Sequence, residues 1–305
     1  MPLHIETPLI ESGAMSGVPG QSVWLKMEAL QPPGSFKIRG IGFACEEHAR
    51  RGARRFIASS GGNAGIAAAY AGRRLGIPVR VVVPQTTSLR AIELIRRQHA
   101  EVVVHGASFQ EANLLAQSML TPCDAFIHPF DDPLLWQGHA SMIDEVARAG
   151  VRPDAVVLSV GGGGLLCGVL AGLHRNGWPQ VPVFAVETAG ADALAQSIVA
   201  GERIALARIA SIATSLGARM VCEQAFDWRT RHSLRSMVVA DSAAVAACLR
   251  FIDDHRVVVE PACGASLALL YDGAAALREF KNVLVIVCGG VGASVAQLQQ
   301  WAAQP

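Results

Sequence analysis

Four times along the chain a short apolar, largely β-branched run ends in a glycine or polar turn and passes into an alanine-rich segment. These units are RRFIASS into GGNAGIAAAYAGRRLG, VRVVVP into TSLRAIELIRRQHA, AVVLSV into GGGGLLCGVLAGLHR, and NVLVIVCGG into VGASVAQLQQWAA. Runs of this length without polar alternation fit strands buried on both faces, as in parallel sheets whose crossovers are helices. The pattern therefore predicts an α/β fold. DDPLLWQGHASMIDEVARAG adds another helix, stopped at Gly150 with a proline soon after.

The 305 residues suffice for one large domain or two of ordinary size, and no repeat or low-complexity linker fixes a boundary. With 26 basic and 25 acidic residues, nothing points to a polyanionic partner, either nucleic acid or anionic membrane. The amino terminus lacks a basic segment followed by an apolar one, and no apolar run reaches the ~20 residues that span a bilayer, so a soluble, cytoplasmic protein is expected. Seven scattered cysteines without a Cys-x-x-Cys pair disfavour a disulfide framework and a zinc site.

Several residues carry candidate chemistry. Gly161, Gly162, Gly163 and Gly164 join a strand to a helix, where backbone N–H groups and the helix dipole can converge on an anion. The spacing G-x-G-x-x-G fails in every frame and no G-K-[ST] follows, so a monophosphate is favoured over a dinucleotide or ATP. A tight turn for helix packing is the competing explanation. The loop Ser59-Ser60-Gly61-Gly62-Asn63-Ala64-Gly65 could bind a carboxylate, or could simply cap a helix through Ser60 or Asn63. Lys37, in PPGSFKIRG, is one of three lysines against 23 arginines. Flanked by Phe36 and Ile38, its amine could form a Schiff base with an aldehyde; alone in a loop it would be a solvated charge. Cys288 ends the run Val283–Val287, at the strand end where α/β ligands collect; a buried structural thiol is the alternative. An aldehyde cofactor bearing one phosphate, with an amino-acid substrate, would use this whole set.

These residues resemble the fold-type II pyridoxal-phosphate enzymes, and within them the catabolic L-serine dehydratase/L-threonine deaminase branch. The resemblance runs in order through LHIETPLIES, GSFKIRG, SSGGNAGIAAAYAGRRLG, HPFDDPLLWQGHAS, SVGGGGLLCGV, VETAGA, SLGA, VVVEPACGASLAL and VIVCGG. It implies a tryptophan synthase β-like fold of two open, twisted, mostly parallel sheets with flanking helices. A large domain (1–34 and 136–305) would carry an inserted small, substrate-side domain (35–135), with pyridoxal 5'-phosphate in the cleft between them.

By the same resemblance Lys37 would hold the cofactor as a Schiff base and take the Cα proton, and Phe36 would cover a ring face. Gly161 to Gly164 and Leu165 would bind the phosphate, Asn63 the ring hydroxyl oxygen, and Cys288 would face the pyridine nitrogen. Ser60, Gly61, Asn63 and Ala64 would hold the substrate carboxylate. Glu187 and the carbonyls of Gly161, Ala191, Leu216 and Ala218 would form a monovalent-cation site, with potassium the expected ion; a surface salt bridge is the other reading of Glu187. The implied reaction is β-elimination of L-serine to pyruvate and ammonia and of L-threonine to 2-oxobutyrate and ammonia, by a homodimer. Little chain follows the catalytic region, so the isoleucine-sensitive regulatory domain of biosynthetic relatives is not expected.

Some positions depart from the pattern. Gly61 stands where serine racemases carry a serine, which disfavours racemisation. Gln137 stands where relatives often have glutamate, and neither it nor His139 has an assigned role. VGAS after VIVCGG differs from the polar residues common in relatives. The competing functions are β-replacement as in cysteine synthases, against which SFKIRG and Cys288 argue, serine racemisation, and a non-catalytic cofactor-binding protein.

Overall fold

The computed structural model describes residues 1–16 and 19–304. In chain order, β1 (Leu9–Glu11) and β2 (Ser22–Lys26) precede α1 (Lys37–Arg50), β3 (Arg55–Ala58), α2 (Asn63–Leu75), β4 (Val79–Val83), α3 (Leu89–Arg96), β5 (Glu101–Val104), α4 (Phe109–Ser118), β6 (Asp124–Ile127) and α5 (Pro133–Arg148). There follow β7 (Ala155–Ser159), α6 (Gly164–Arg175), β8 (Val183–Thr188), α7 (Ala193–Ala200), α8 (Glu223–Asp227), β9 (Leu234–Val239), α9 (Asp241–His255), α10 (Pro261–Tyr271), β10 (Asn282–Ile286) and α11 (Val295–Ala302). No described helix is long and apolar enough to cross a membrane.

The chain divides into two compact units, Met1–Ile5 with Gln31–His139, and Glu6–Leu30 with Ala140–Pro305. Met1–Ile5 thus cluster with the smaller unit, although the sequence placed them with the larger one. The smaller unit is built on a four-stranded parallel sheet of order β5-β4-β3-β6. The larger has six strands in the order β1-β2-β10-β7-β8-β9, parallel except for the antiparallel β1. Its central strands β7 and β8 are buried at every residue, whereas β9, at the sheet edge, is only partly buried, with Val238 exposed. The unbroken apolar runs are thus central strands covered on both faces.

All four strand-to-helix units of the sequence form, with the strand and helix bounds given above. Strand β10 ends at Ile286, one residue short of the Val287 expected. The Val287 N–H still donates to the Lys26 carbonyl at 3.0 Å, and Cys288 lies just past that last bond. The helix expected before Gly150 forms as α5, and Gly150 takes the left-handed conformation, φ 75°, that stops it.

A buried polar network ties the larger unit's first strands to α5. Lys26, 1% exposed, places its Nζ 2.5 Å from Glu145 Oε2 and donates to the Thr7 carbonyl at 2.6 Å. The Thr7 hydroxyl donates to Glu28 Oε1 at 2.6 Å. This lysine is a structural charge, satisfied where water is excluded.

Candidate active site

In a parallel sheet, ligands gather beyond the carboxyl ends of the strands. In the smaller unit, β3 and β6 are neighbours, and the turns leaving both open on that side. The β3 turn contains Ser60 to Gly62; the β6 turn contains His128, Pro129 and Phe130. Lys37, the first residue of α1, donates from Nζ to the Pro129 carbonyl at 2.7 Å. Its Nζ is also 5.1 Å from the centre of the Phe36 ring. The amine is therefore half-buried between a carbonyl and an aromatic wall, at a helix N-terminus whose dipole opposes its positive charge.

His139 fixes that wall from behind. It is buried, its ring centre lies 4.9 Å from that of Phe36, and its Nδ1 accepts the Gly40 N–H at 3.2 Å. Burial, followed by the charges of Lys37, Arg39 and His4, holds its protonation well below the usual histidine range. The ring is neutral, with its proton on Nε2. His139 thus has a role that the sequence did not supply, whereas Gln137 is exposed.

The Ser60–Ala64 loop is not a side-chain-capped helix start. The N-cap of α2 is Gly62, without a side-chain cap bond, and the Gly62 N–H donates to Ser60 Oγ at 3.3 Å. Asn63 opens α2 and is buried. A Cβ at Gly61 would lie 2.6 Å from both Cγ2 and Oγ1 of Thr87, so Thr87 occupies the volume that a larger residue 61 would take.

The larger unit supplies a second group. Strand β7 lies between β10 and β8, all parallel, so the turns after them share one end of the sheet. There the structure brings together Gly161 to Gly164, Cys288 and Glu187. The tetraglycine turn enters α6, with Gly163 in the left-handed conformation at φ 95°. A Cβ at Gly161 would lie 3.0 Å from Leu216 Cα, and one at Gly163 would fall on the Ala225 methyl. Only glycine keeps this backbone open beside the first N–H groups of a three-turn helix, and Leu165 is buried within its first turn. The arrangement fits a phosphate group.

Cys288 is buried, and a hydrogen bond with Cys263, then burial, hold its thiol well above the usual cysteine range. It is a neutral sulfhydryl, suited to pair with an uncharged heterocyclic nitrogen. The buried Glu260 accepts the Gly292 N–H at 2.8 Å and fixes the turn after Cys288. No motif in the sequence signals this role.

Glu187 is fully buried, so the surface salt bridge is excluded. Its Oε1 accepts the Leu194 N–H at 2.9 Å and its Oε2 the Ala195 N–H at 2.7 Å, at the start of α7. Burial, opposed by these bonds, pushes its protonation up to about 8. Ala191 and Leu216 are buried, and the Leu216 carbonyl accepts the Ala218 N–H at 2.8 Å.

Residues 1–289 match the family model described as pyridoxal-phosphate dependent enzyme. The chain belongs to this family. It is 48% identical to the human serine dehydratase-like protein and 46% identical to the human L-serine dehydratase/L-threonine deaminase, each over 98% of this chain and 94% of the relative. Its fold is similar to the crystal structure of a fungal L-serine ammonia-lyase from Rhizomucor miehei. That likeness has a TM-score of 0.93 and 34% identity, covering 99% of this chain and 98% of that one. As a member of the pyridoxal-phosphate family, the protein has the two mostly parallel sheets that the resemblance implied.

Proposed function

We propose that the protein is a pyridoxal 5'-phosphate-dependent ammonia-lyase that converts L-serine to pyruvate and ammonia, and L-threonine to 2-oxobutyrate and ammonia. The substrates are those named for its relatives at 46% identity. The observation that carries the reaction type is the neutral Cys288 thiol. A thiol cannot keep a pyridine nitrogen protonated, which suits an elimination in which charge leaves with the hydroxyl.

Lys37 would hold the cofactor through its amine, with Phe36 against the ring. Gly161 to Gly164 and Leu165 would receive the phosphate, Asn63 the ring hydroxyl oxygen, and Cys288 the ring nitrogen. Bound in this way, the cofactor supplies an electron-withdrawing system conjugated to the substrate Cα. The Ser60 hydroxyl and the backbone of Gly61 to Ala64 would hold the substrate carboxylate, which orients the Cα–H bond. The Lys37 amine would take the Cα proton at Nζ, and that proton would leave with the β-hydroxyl as water. The aminoacrylate set free hydrolyses to keto acid and ammonia, so the atoms of serine are all accounted for.

The proposal includes potassium at Glu187 and the carbonyls of Gly161, Ala191, Leu216 and Ala218. A buried carboxylate among backbone oxygens suits a hard monovalent ion. It also includes a cytoplasmic homodimer, testable by sedimentation. Keto-acid formation from L-serine, L-threonine and D-serine, with and without potassium, tests the whole reading. Pyruvate from L-serine without a thiol acceptor, stimulated by potassium, is expected. A strict requirement for a thiol would mean β-replacement, and D-serine as the main product would mean racemisation; either contradicts the proposal.

A further inference from the structure

The Lys37 amine is placed by a carbonyl, and that carbonyl belongs to a turn with its own support. His128 follows β6 directly, and its Nδ1 accepts two backbone N–H groups from the next three residues, that of Asp131 at 2.7 Å and that of Phe130 at 3.3 Å. A side-chain acceptor reaching back to N–H groups two and three positions on closes a tight turn in the manner of an aspartate or asparagine. The peptide inside this turn is Pro129, whose carbonyl meets Lys37 Nζ at 2.7 Å.

The imidazole is itself clamped. Its ring stands edge-on to that of Phe130, with centres 4.8 Å apart, and to that of Phe126 at 6.2 Å. Burial, then the Lys37 charge, lower its protonation, against the opposing effects of Asp131 and Asp132. The neutral ring keeps a lone pair on Nδ1 for the two N–H groups, and its proton lies on Nε2.

We propose that His128 is the positioning residue for Lys37: by closing the His128–Asp131 turn through Nδ1, it aims the Pro129 carbonyl at Nζ and sets the orientation and reactivity of the amine. The inference rests on the reading of Lys37 as the cofactor lysine only for its consequence in catalysis. The geometric claim concerns the amine itself. A carbonyl accepting from Nζ favours the protonated, unreactive amine until the aldehyde arrives, so loosening the turn makes Lys37 more reactive towards acylating reagents and less well aimed at the cofactor.

The chain contains only three lysines, which makes the test direct. Full-length protein is treated with a trace of acetic anhydride at fixed pH, with and without pyridoxal phosphate, and acetylation of Lys26, Lys37 and Lys281 is read by peptide mass spectrometry. Exposed Lys281 is the internal standard, and buried Lys26 reports folding. Two substitutions separate the ring nitrogens, since asparagine keeps an acceptor at the δ position and glutamine moves it one bond further. His128→Asn is expected to keep the Lys37:Lys281 ratio of the cofactor-free protein within about twofold, and His128→Gln to raise it about fivefold, the loss of one hydrogen bond. Lys26 stays unlabelled in both. Equal ratios in the parent and both variants, or an equal rise in both, would overturn the proposal. Should a variant label Lys26, the comparison moves to Phe130→Pro, which removes one of the two N–H donors; there a ratio equal to the parent overturns it. Protection of Lys37 by pyridoxal phosphate in the parent is a separate outcome: its absence counts against Lys37 as the cofactor lysine and leaves the positioning result standing.

Discussion

Lys26 and Lys37 each donate to a backbone carbonyl, at 2.6 and 2.7 Å, yet their surroundings give them opposite uses. Lys26 closes a strand in the larger unit, is 1% exposed, and is neutralised by Glu145 at 2.5 Å. Lys37 opens a helix in the smaller unit, half-buried against Phe36, at the end of the helix where a positive charge is least favoured. A buried lysine held by a carboxylate stabilises the fold as an ammonium. One at a helix N-terminus, half-buried, is held less firmly as an ammonium, because the helix dipole opposes its charge.

Exchanging the two losses breaks this comparison most sharply. Lys37→Ala is expected to lower keto-acid formation by ~10³-fold or more with little change in urea unfolding, because Nζ is the proposed proton acceptor. Lys26→Met should do the reverse. It leaves Glu145 buried opposite a methyl group, at a cost of about 3–5 kcal/mol in unfolding, while the surviving folded protein keeps its turnover. A large stability loss from Lys37→Ala, or a selective loss of turnover from Lys26→Met, would undo the distinction.

Glu187 extends the comparison to a buried carboxylate. Its folded-state value, up to about 8, lies above the 4.5 of an ordinary glutamate. Its contribution to stability is therefore full below the unfolded value and is lost as pH rises through the folded one. The proposed cation, bound to the ionised carboxylate, would offset that loss. About 100 mM potassium should accordingly raise Tm by ~2–4 °C near pH 8.5 and by less than ~1 °C near pH 5.5. Glu187→Gln should remove the difference, and an equal potassium effect at both pH values would contradict it.

The smallest effect concerns Gly61. Alanine there meets Thr87 at 2.6 Å and should destabilise by about 1–3 kcal/mol, with Thr87→Ala in the same chain restoring most of the loss. An alanine variant as stable as the parent would show that Thr87 turns aside without cost.

The sequence made the alternation of strands and helices legible because central parallel strands carry unbroken apolar runs, and glycine turns mark where each helix begins. It also made the candidate residues legible one at a time. What it could not supply was contact at long range. The Pro129 carbonyl lies 92 residues from Lys37 and carries no side-chain signal. His139 behind Phe36, Thr87 filling the space at Gly61, and Glu260 holding the Gly292 N–H are likewise products of packing between elements. For Glu187 in VETAGA a cation ligand and a surface salt bridge both stood open; its place on the fully buried β8 shows that it faces no solvent. Periodicity locates elements, whereas the partners of a side chain depend on which strands become neighbours.

The central claim is that Lys37, of the three lysines, carries the cofactor. Borohydride reduction of the protein after incubation with pyridoxal phosphate, followed by peptide mass spectrometry, addresses it directly. A phosphopyridoxyl group on Lys37, with Lys26 and Lys281 unmodified, is the predicted result. The group on Lys26 or Lys281, or its absence from all three, would contradict the account.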